Sequence, residues 1–235
     1  MQAISIFSSK VLETKDLTSD VKFLRLSVPK DFNFKAGQYL SLSVMRSDGK
    51  KIRKPFSISN APGKKGEPID FCAKLIPGGL ASEYIKALKR GDEVELFGPA
   101  GKFVVTDSDK DLVFIASGVG IAPFTSMIPD LLRKNPDRKI ILLKSSRTEA
   151  DSLYDSPLEE LSNKYPNFAF YNIFSNPKRK DLNKGHVQDF FGKYISPDFD
   201  GYFYICGLEE MITDSRDKLI SMGFKDENIF NERFD

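Results

Sequence analysis

The stretch Leu112-Val113-Phe114-Ile115-Ala116-Ser117-Gly118-Val119-Gly120-Ile121-Ala122-Pro123 runs a short apolar strand into two closely spaced glycines, and Phe124 to Lys134 continues as a helix. A backbone that turns sharply and lets a pyrophosphate approach its N–H groups needs residues without Cβ, and the helix that follows adds its positive dipole end. This is the layout of a nucleotide site at the end of a parallel strand. The dinucleotide fingerprint carries a third glycine. Here Pro123 stands in its place, giving G-x-G-x-x-P, so the rest of the chain has to separate a nucleotide turn from an ordinary tight turn.

On either side of this stretch the hydrophobic rhythm differs. Before it, apolar residues alternate in short runs such as Phe23-Leu24-Arg25-Leu26-Ser27-Val28 and Tyr39-Leu40-Ser41-Leu42-Ser43-Val44, punctuated by Pro29, Gly37, Asp48-Gly49, Pro62-Gly63 and Gly91-Asp92. That pattern predicts an antiparallel barrel or sandwich with one short helix, Leu80 to Leu88. From residue 111 onward, buried-looking strands at 112–116, 139–144, 168–174, 202–205 and 229–231 alternate with helices near 124–134, 157–164, 187–194 and 209–222. Strand and helix in alternation predict a parallel, doubly wound sheet. The expected domains are 1–107 and 108–235, divided at the polar stretch from Asp107 to Lys110.

The bulk properties narrow the class. A chain of 235 residues with 40% hydrophobic and 29% charged residues suits two modest domains of an ordinary globular protein. No apolar run approaches the roughly 20 residues of a membrane span, and the start lacks the build of a signal peptide, so a cytoplasmic protein is expected. Two cysteines, Cys72 and Cys206, are too few for the four thiolates of an ordinary iron-sulfur cluster, and no metal site is expected. The net charge of +2 conceals an asymmetry: residues 1–107 hold 18 Lys/Arg against 12 Asp/Glu, and residues 108–235 hold 17 against 21. A basic first half suits a bound phosphate or an acidic partner, or is a solvated lysine surface. Nucleic acid is not indicated, because no basic run is interleaved with stacking aromatics and tryptophan is absent.

Five elements in order resemble the ferredoxin-NADP reductase family of two-domain flavoproteins. The first is Lys54-Pro55-Phe56-Ser57, preceded by Arg53, similar to the family's motif of Arg, any residue, Tyr or Phe, then Ser or Thr. The resemblance implies an aromatic beside the isoalloxazine, a hydroxyl near flavin N5 and a cation on the flavin phosphates. Lys54 occupies the Arg position, and a lysine is a point charge where arginine is a fork. On a strand, Arg53 and Lys54 face opposite ways, and Lys54 is the favoured phosphate partner. The second element, Pro77-Gly78-Gly79-Leu80-Ala81-Ser82, resembles the pyrophosphate turn, with Ser82 as helix cap and anion ligand. The third, Gly98-Pro99-Ala100-Gly101-Lys102-Phe103, resembles the structural turn that closes the flavin domain.

The fourth element is the opening segment, with Gly118, Gly120 and Pro123 read as the nicotinamide-nucleotide turn. The fifth is Tyr204-Ile205-Cys206-Gly207-Leu208-Glu209-Glu210-Met211, which by resemblance sets Cys206 beside the nicotinamide, with Gly207 and Met211 in the same site. Cys72 reads as a small core hydrophobe. The tail Asn231-Glu232-Arg233-Phe234-Asp235 is similar to the family ending of Glu, any residue, aromatic. It implies a carboxylate, Glu232, near the nicotinamide amide and on a proton path, and leaves Phe234 either a flavin-stacking ring or a core anchor. Ser146-Arg147 and Ser175-Asn176, followed by Lys178-Arg179-Lys180, lie where relatives contact the ribose and its 2′-phosphate. They offer cations with no carboxylate at the nearest positions, which leans toward NADPH over NADH. Tyr154 and Tyr171 read as core residues rather than adenine partners, and His186 as a surface residue at a helix start.

The resemblance therefore implies an antiparallel flavin-binding β-barrel followed by a parallel doubly wound nucleotide-binding domain. The expected activity is hydride transfer from NAD(P)H to FAD and electron delivery to a separate acceptor, through Ser57, Cys206 and Glu232. Acceptors consistent with the basic first half are a small acidic carrier (ferredoxin, flavodoxin or rubredoxin) or a downstream oxidoreductase. A free-flavin reductase and a non-catalytic electron-transfer subunit are the alternatives.

Overall fold

The alternating stretches of the first half become strands β1 (Ser5–Thr18), β2 (Val21–Leu26), β3 (Tyr39–Met45), β4 (Lys51–Ser57), β5 (Ile69–Lys74) and β6 (Glu93–Ala100), with helix α1 (Leu80–Ala87) between β5 and β6. The computed structural model describes residues 4–234. All pairings in this sheet are antiparallel, in the order β4-β3-β6-β1-β2-β5. The long strand β1 pairs with β6 over Ser5–Lys10 and with β2 from Val11 onward, with register shifts after Val11 and after Asp16. Such irregularities bend a strand and raise its twist, which lets one strand serve two neighbours in a curved sheet.

The sheet curls until its edges meet. Phe56 of β4 stacks on Phe71 of β5, centroids 4.9 Å apart, and the Ser59 N–H donates to the Asp70 carbonyl at 2.8 Å. The result is a barrel around Leu24, Leu26, Leu40, Leu42 and Leu96, none more than 1% exposed. Each such side chain contributes roughly 1.5–3 kcal/mol of burial. Pro55 lies in the edge strand β4, where its missing N–H breaks no internal ladder.

The second half builds a wholly parallel sheet from β7 (Asp111–Ser117), β8 (Ile140–Ser146), β9 (Phe168–Phe174), β10 (Asn183–Lys184), β11 (Gly201–Gly207) and β12 (Ile229–Arg233). The order is β10-β9-β8-β7-β11-β12. The chain builds outward from β7 through β8, β9 and β10, then returns to place β11 on the other side of β7. That reversal makes the gap beyond the carboxyl ends of β7 and β11 the topological switch point, where ligands bind in open parallel sheets. Helices α2 (Ala122–Lys134), α3 (Asp155–Lys164), α4 (Phe191–Tyr194) and α5 (Glu209–Ser221) alternate with the strands. One sheet face is sealed by Val113, Ile115, Phe203, Ile205 and Ile229 against Ile212 and Leu219 of α5 and Phe191 of α4.

Two compact units result: residues up to Val105 with Ala122–Asp130, and Thr106–Ile121 with Leu131 onward. Within the first, Phe124 of α2 packs against Phe103 and the Thr125 hydroxyl donates to the Ser59 carbonyl at 2.7 Å. Among the described residues no helix is long and apolar enough to cross a membrane.

Candidate functional site

In the first unit the motif 54–57 lies on β4, whose alternation divides it cleanly. Lys54 and Phe56 pair with Leu42 and Leu40 of the core, so they share the face that looks toward the barrel interior; Arg53 and Pro55 face outward with Ser43 and Ser41. The Arg53 guanidinium is committed to the outer face, 4.3 Å from the Phe97 ring centroid. Lys54 is exposed at the sheet edge, and Ser57 is buried at the end of the strand.

The turn before α1 follows β5, and α1 packs against β3 and β5. Gly79 is the N-cap residue and no side chain caps the helix. The Ser82 hydroxyl does not cap α1. It accepts the Ile76 N–H at 2.8 Å and so ties the loop back on itself, keeping its own proton to donate. Gly78 sits at φ +71 with nothing within 4 Å of the place a Cβ would occupy. An exposed cation, a glycine turn with open space and a helix start with uncapped N–H groups on Leu80, Ala81 and Ser82 are a donor set suited to a pyrophosphate. These residues fit FAD.

In the second unit the sequence-read residues converge at the switch point. Cys206 is in register with Ala116 of β7 on one side and Glu232 of β12 on the other. A Cβ on Gly120 would stand 2.3 Å from the Cys206 carbonyl oxygen and 2.7 Å from the Gly207 nitrogen. Gly207, at φ +154, would place a Cβ 2.2 Å from the Ser117 Oγ and 2.7 Å from the Met211 Cε. The two glycines therefore serve close packing of the β7 turn on the end of β11. Gly118 differs: it has φ +53, is exposed, and has nothing within 4 Å of a built Cβ. Open backbone at Gly118 above the switch point is what a nucleotide pyrophosphate requires, so this end of the sheet fits a nicotinamide nucleotide. Gly118 opens a 3-10 turn, Gly118–Ile121, and Pro123 takes the second position of α2.

Phe234 is tied to this cluster by its N–H, which donates to the Gly207 carbonyl at 2.9 Å, and the Arg233 guanidinium meets Glu209 at 2.8 Å. Cys206 is fully buried, and Glu232 is half-buried. Cys72 is buried in the barrel. Tyr171 stacks on Tyr194 at 3.8 Å, and His186 is exposed at the start of a helical turn.

One strand over, Ser146 is buried at the end of β8 and Arg147 is exposed beyond it. The Asn176 N–H donates to the Arg147 carbonyl at 2.8 Å, which fastens the 175–180 segment to this turn. Two carboxylates lie just beyond the positions read from the sequence: Glu149 accepts the backbone N–H groups of Lys178 and Arg179, and Asp181 pairs with the Arg179 guanidinium. Sequence reading missed Glu149 because its target is a backbone 29 residues away.

Lys144 was also missed. It is 1% exposed, and its ammonium donates to the Ser152 hydroxyl at 2.8 Å, to the Leu153 carbonyl at 2.6 Å and to Asp155. Between these anchors Tyr154 adopts φ +61, a left-handed conformation that costs a non-glycine residue about 1–2 kcal/mol. The lysine holds that turn in shape.

A sequence model of the oxidoreductase FAD-binding domain matches residues 8–105, and one of the oxidoreductase NAD-binding domain matches residues 114–217. FAD and a nicotinamide nucleotide are thus the cofactors of the two domains. The reductase component DmpP of phenol 2-monooxygenase from Pseudomonas sp. (strain CF600) is 36% identical over 227 residues, covering 93% of this chain and 63% of the relative. The phenol hydroxylase P5 protein of Acinetobacter pittii is 32% identical over 235 residues, covering 97% and 65%. The chain thus spans less than two thirds of the length of these relatives. In fold it is similar to the Amycolatopsis cytochrome P450 reductase GcoB, with a TM-score of 0.90 at 24% identity over 100% of this chain and 71% of that one. It is also similar to a Neisseria gonorrhoeae ferredoxin NADP+ reductase solved with FAD and NADP, with a TM-score of 0.83 at 23% identity over 97% and 98%. With both domain models matched in order on a barrel followed by a doubly wound sheet, the chain belongs to the ferredoxin-NADP reductase-like family of oxidoreductases.

Proposed function

We propose that this chain is an NAD(P)H-dependent reductase that passes electrons to a separate protein carrier or oxygenase component. The observation that carries the reading is the meeting of Gly120, Cys206, Gly207 and Glu232 at the switch point of a sheet that follows a barrel with a flavin donor set. FAD, when bound, supplies the conversion of a two-electron hydride into single-electron transfers. Lys54 and the first N–H groups of α1 would hold its phosphates, and Ser57 would orient its reactive edge by hydrogen bonding. Cys206, buried at the end of β11, would lie beside the nicotinamide, where its small side chain leaves room for the ring. Glu232 holds the carboxamide and moves the proton that accompanies electron exit.

The relative DmpP is a reductase component, which supports an acceptor outside this chain, and the basic first half supports an acidic one such as ferredoxin, flavodoxin or rubredoxin. Supply of reduced nicotinamide nucleotide supports a cytoplasmic setting.

Lys54→Ala should weaken FAD retention by about 1.5–3 kcal/mol, the range for hydrogen bonds to charged groups. Arg53→Ala should have little effect, because its guanidinium lies over Phe97 on the other face. Flavin titration of both variants checks this, and equal losses would contradict the division of the strand.

Anaerobic stopped-flow bleaching of the FAD-loaded protein tests the reading as a whole. Cys206→Ala and Glu232→Gln should retain flavin, but the first should be bleached more slowly at saturating nucleotide and the second should be slowed in reduction or in proton-coupled reoxidation. Wild-type rates in both would remove these residues from the reaction centre.

A further inference from the structure

The carboxylate of Glu149 sits in a cradle of backbone donors. The Lys178 N–H donates to its two oxygens at 3.1 and 3.2 Å, and the Arg179 N–H donates to one of them at 3.0 Å. Two successive N–H groups converging on one anion form a concavity suited to a phosphate or a carboxylate. Here the chain fills it with its own side chain, whose acidity is raised by its own backbone N–H and then by those of Lys178 and Arg179.

The cradle is rigid. The Thr148 hydroxyl and N–H both donate to Asp151, at 2.7 and 3.0 Å, fixing the turn that begins at Glu149. The Asn176 N–H fastens the opposite segment to the Arg147 carbonyl, and Lys144 locks the chain again at 152–155. The Arg179 guanidinium, which would otherwise face an incoming anion, is bound by Asp181.

In a doubly wound sheet the ribose of a bound dinucleotide lies beyond the strand next to the glycine turn. A carboxylate there accepts the 2′-hydroxyl, whereas cations receive a 2′-phosphate. Glu149 follows three residues after Ser146, the last residue of that strand. We infer that Glu149 is the specificity-determining residue for the nucleotide, holding the backbone donors at 178–179 and presenting a carboxylate to the ribose, so that NADH is preferred to NADPH. This rests on the reductase reading and deepens it. A 2′-phosphate would bring negative charge to a place where a carboxylate already occupies the donors, and like charges so placed repel strongly. With Glu149 gone, the vacated N–H groups and the exposed Arg147 become a phosphate site.

The test compares kcat/KM for flavin reduction by NADH and NADPH in wild type, Glu149→Gln and Glu149→Ala. Calorimetric binding of 5′-AMP and adenosine 2′,5′-bisphosphate to the same three proteins needs no turnover. Wild type should favour NADH, and 5′-AMP, by about tenfold or more, and Glu149→Ala should lower both ratios by about tenfold or more, with Glu149→Gln between. Preference of wild type for NADPH or for the bisphosphate, or ratios unchanged in Glu149→Ala, would overturn the inference. If neither nucleotide bleaches the flavin while the adenosine ligands discriminate as stated, the reductase reading fails and the role of Glu149 stands.

Discussion

Gly120→Val is expected to destabilise the second unit by about 3 kcal/mol and to abolish nucleotide binding there. The cause is backbone against backbone. A Cβ at this position stands 2.3 Å from the Cys206 carbonyl oxygen and 2.5 Å from its carbon, and neither can swing away as a flexible side chain could. To admit the extra atoms, the turn after β7 must lift from the end of β11. Gly118→Ala is the control, because its added methyl meets nothing within 4 Å and its cost is only the left-handed backbone at φ +53, about 1–2 kcal/mol. Hydrogen exchange at the amides of β7 and β11 reads the local stability of each variant, which suits a chain of two units better than a single melting temperature. Equal tolerance of both substitutions would contradict the close packing assigned to Gly120.

Lys144→Met should cost the same unit about 3 kcal/mol, the low end for removing one partner of a buried ion pair, since Asp155 keeps 32% of its side-chain surface. Methionine preserves the volume, so the loss isolates the donors given to Ser152, the Leu153 carbonyl and Asp155. A double-mutant cycle with Asp155→Asn should show coupling of about 1–3 kcal/mol. Burial is the largest influence on the ammonium and holds its pKa below the ordinary 10.5. Between the folded value and 10.5 the unfolded chain binds more protons, so stability rises with pH across that window. The rise should be smaller in Lys144→Met. Absence of coupling, or identical pH profiles, would show that the lysine does not hold the turn.

Much of the architecture was legible because burial on both faces leaves a plain mark in sequence. The run Leu112 to Ala116 predicts a buried parallel strand, and it is one, flanked on both sides by strands. The alternation in Tyr39 to Val44 predicts a strand with one face in the core, and Leu40, Leu42 and Val44 are there. Alternation also separates Arg53 from Lys54, and the ring of Phe97 gives the reason Arg53 stays outside. What was not legible depends on backbone groups remote in sequence. Glu149 looks like a solvated acid until the N–H groups of Lys178 and Arg179 are brought to it. Lys144 looks like the polar end of an apolar strand, and only the fold shows that it is sealed beneath the turn at Tyr154. Gly120 shows the same limit in another form. A glycine at that spacing reads as room for a phosphate, whereas its nearest neighbours are atoms of β11.

The most direct measurement is anaerobic stopped-flow bleaching of the FAD-loaded chain alone, with NADH carrying deuterium at the transferable C4 position compared with unlabelled NADH. Direct hydride transfer within this chain predicts rapid loss of the oxidised flavin spectrum without any added protein, slowed by the label. A flavin that stays oxidised, or bleaches only when a second protein is present, would contradict it.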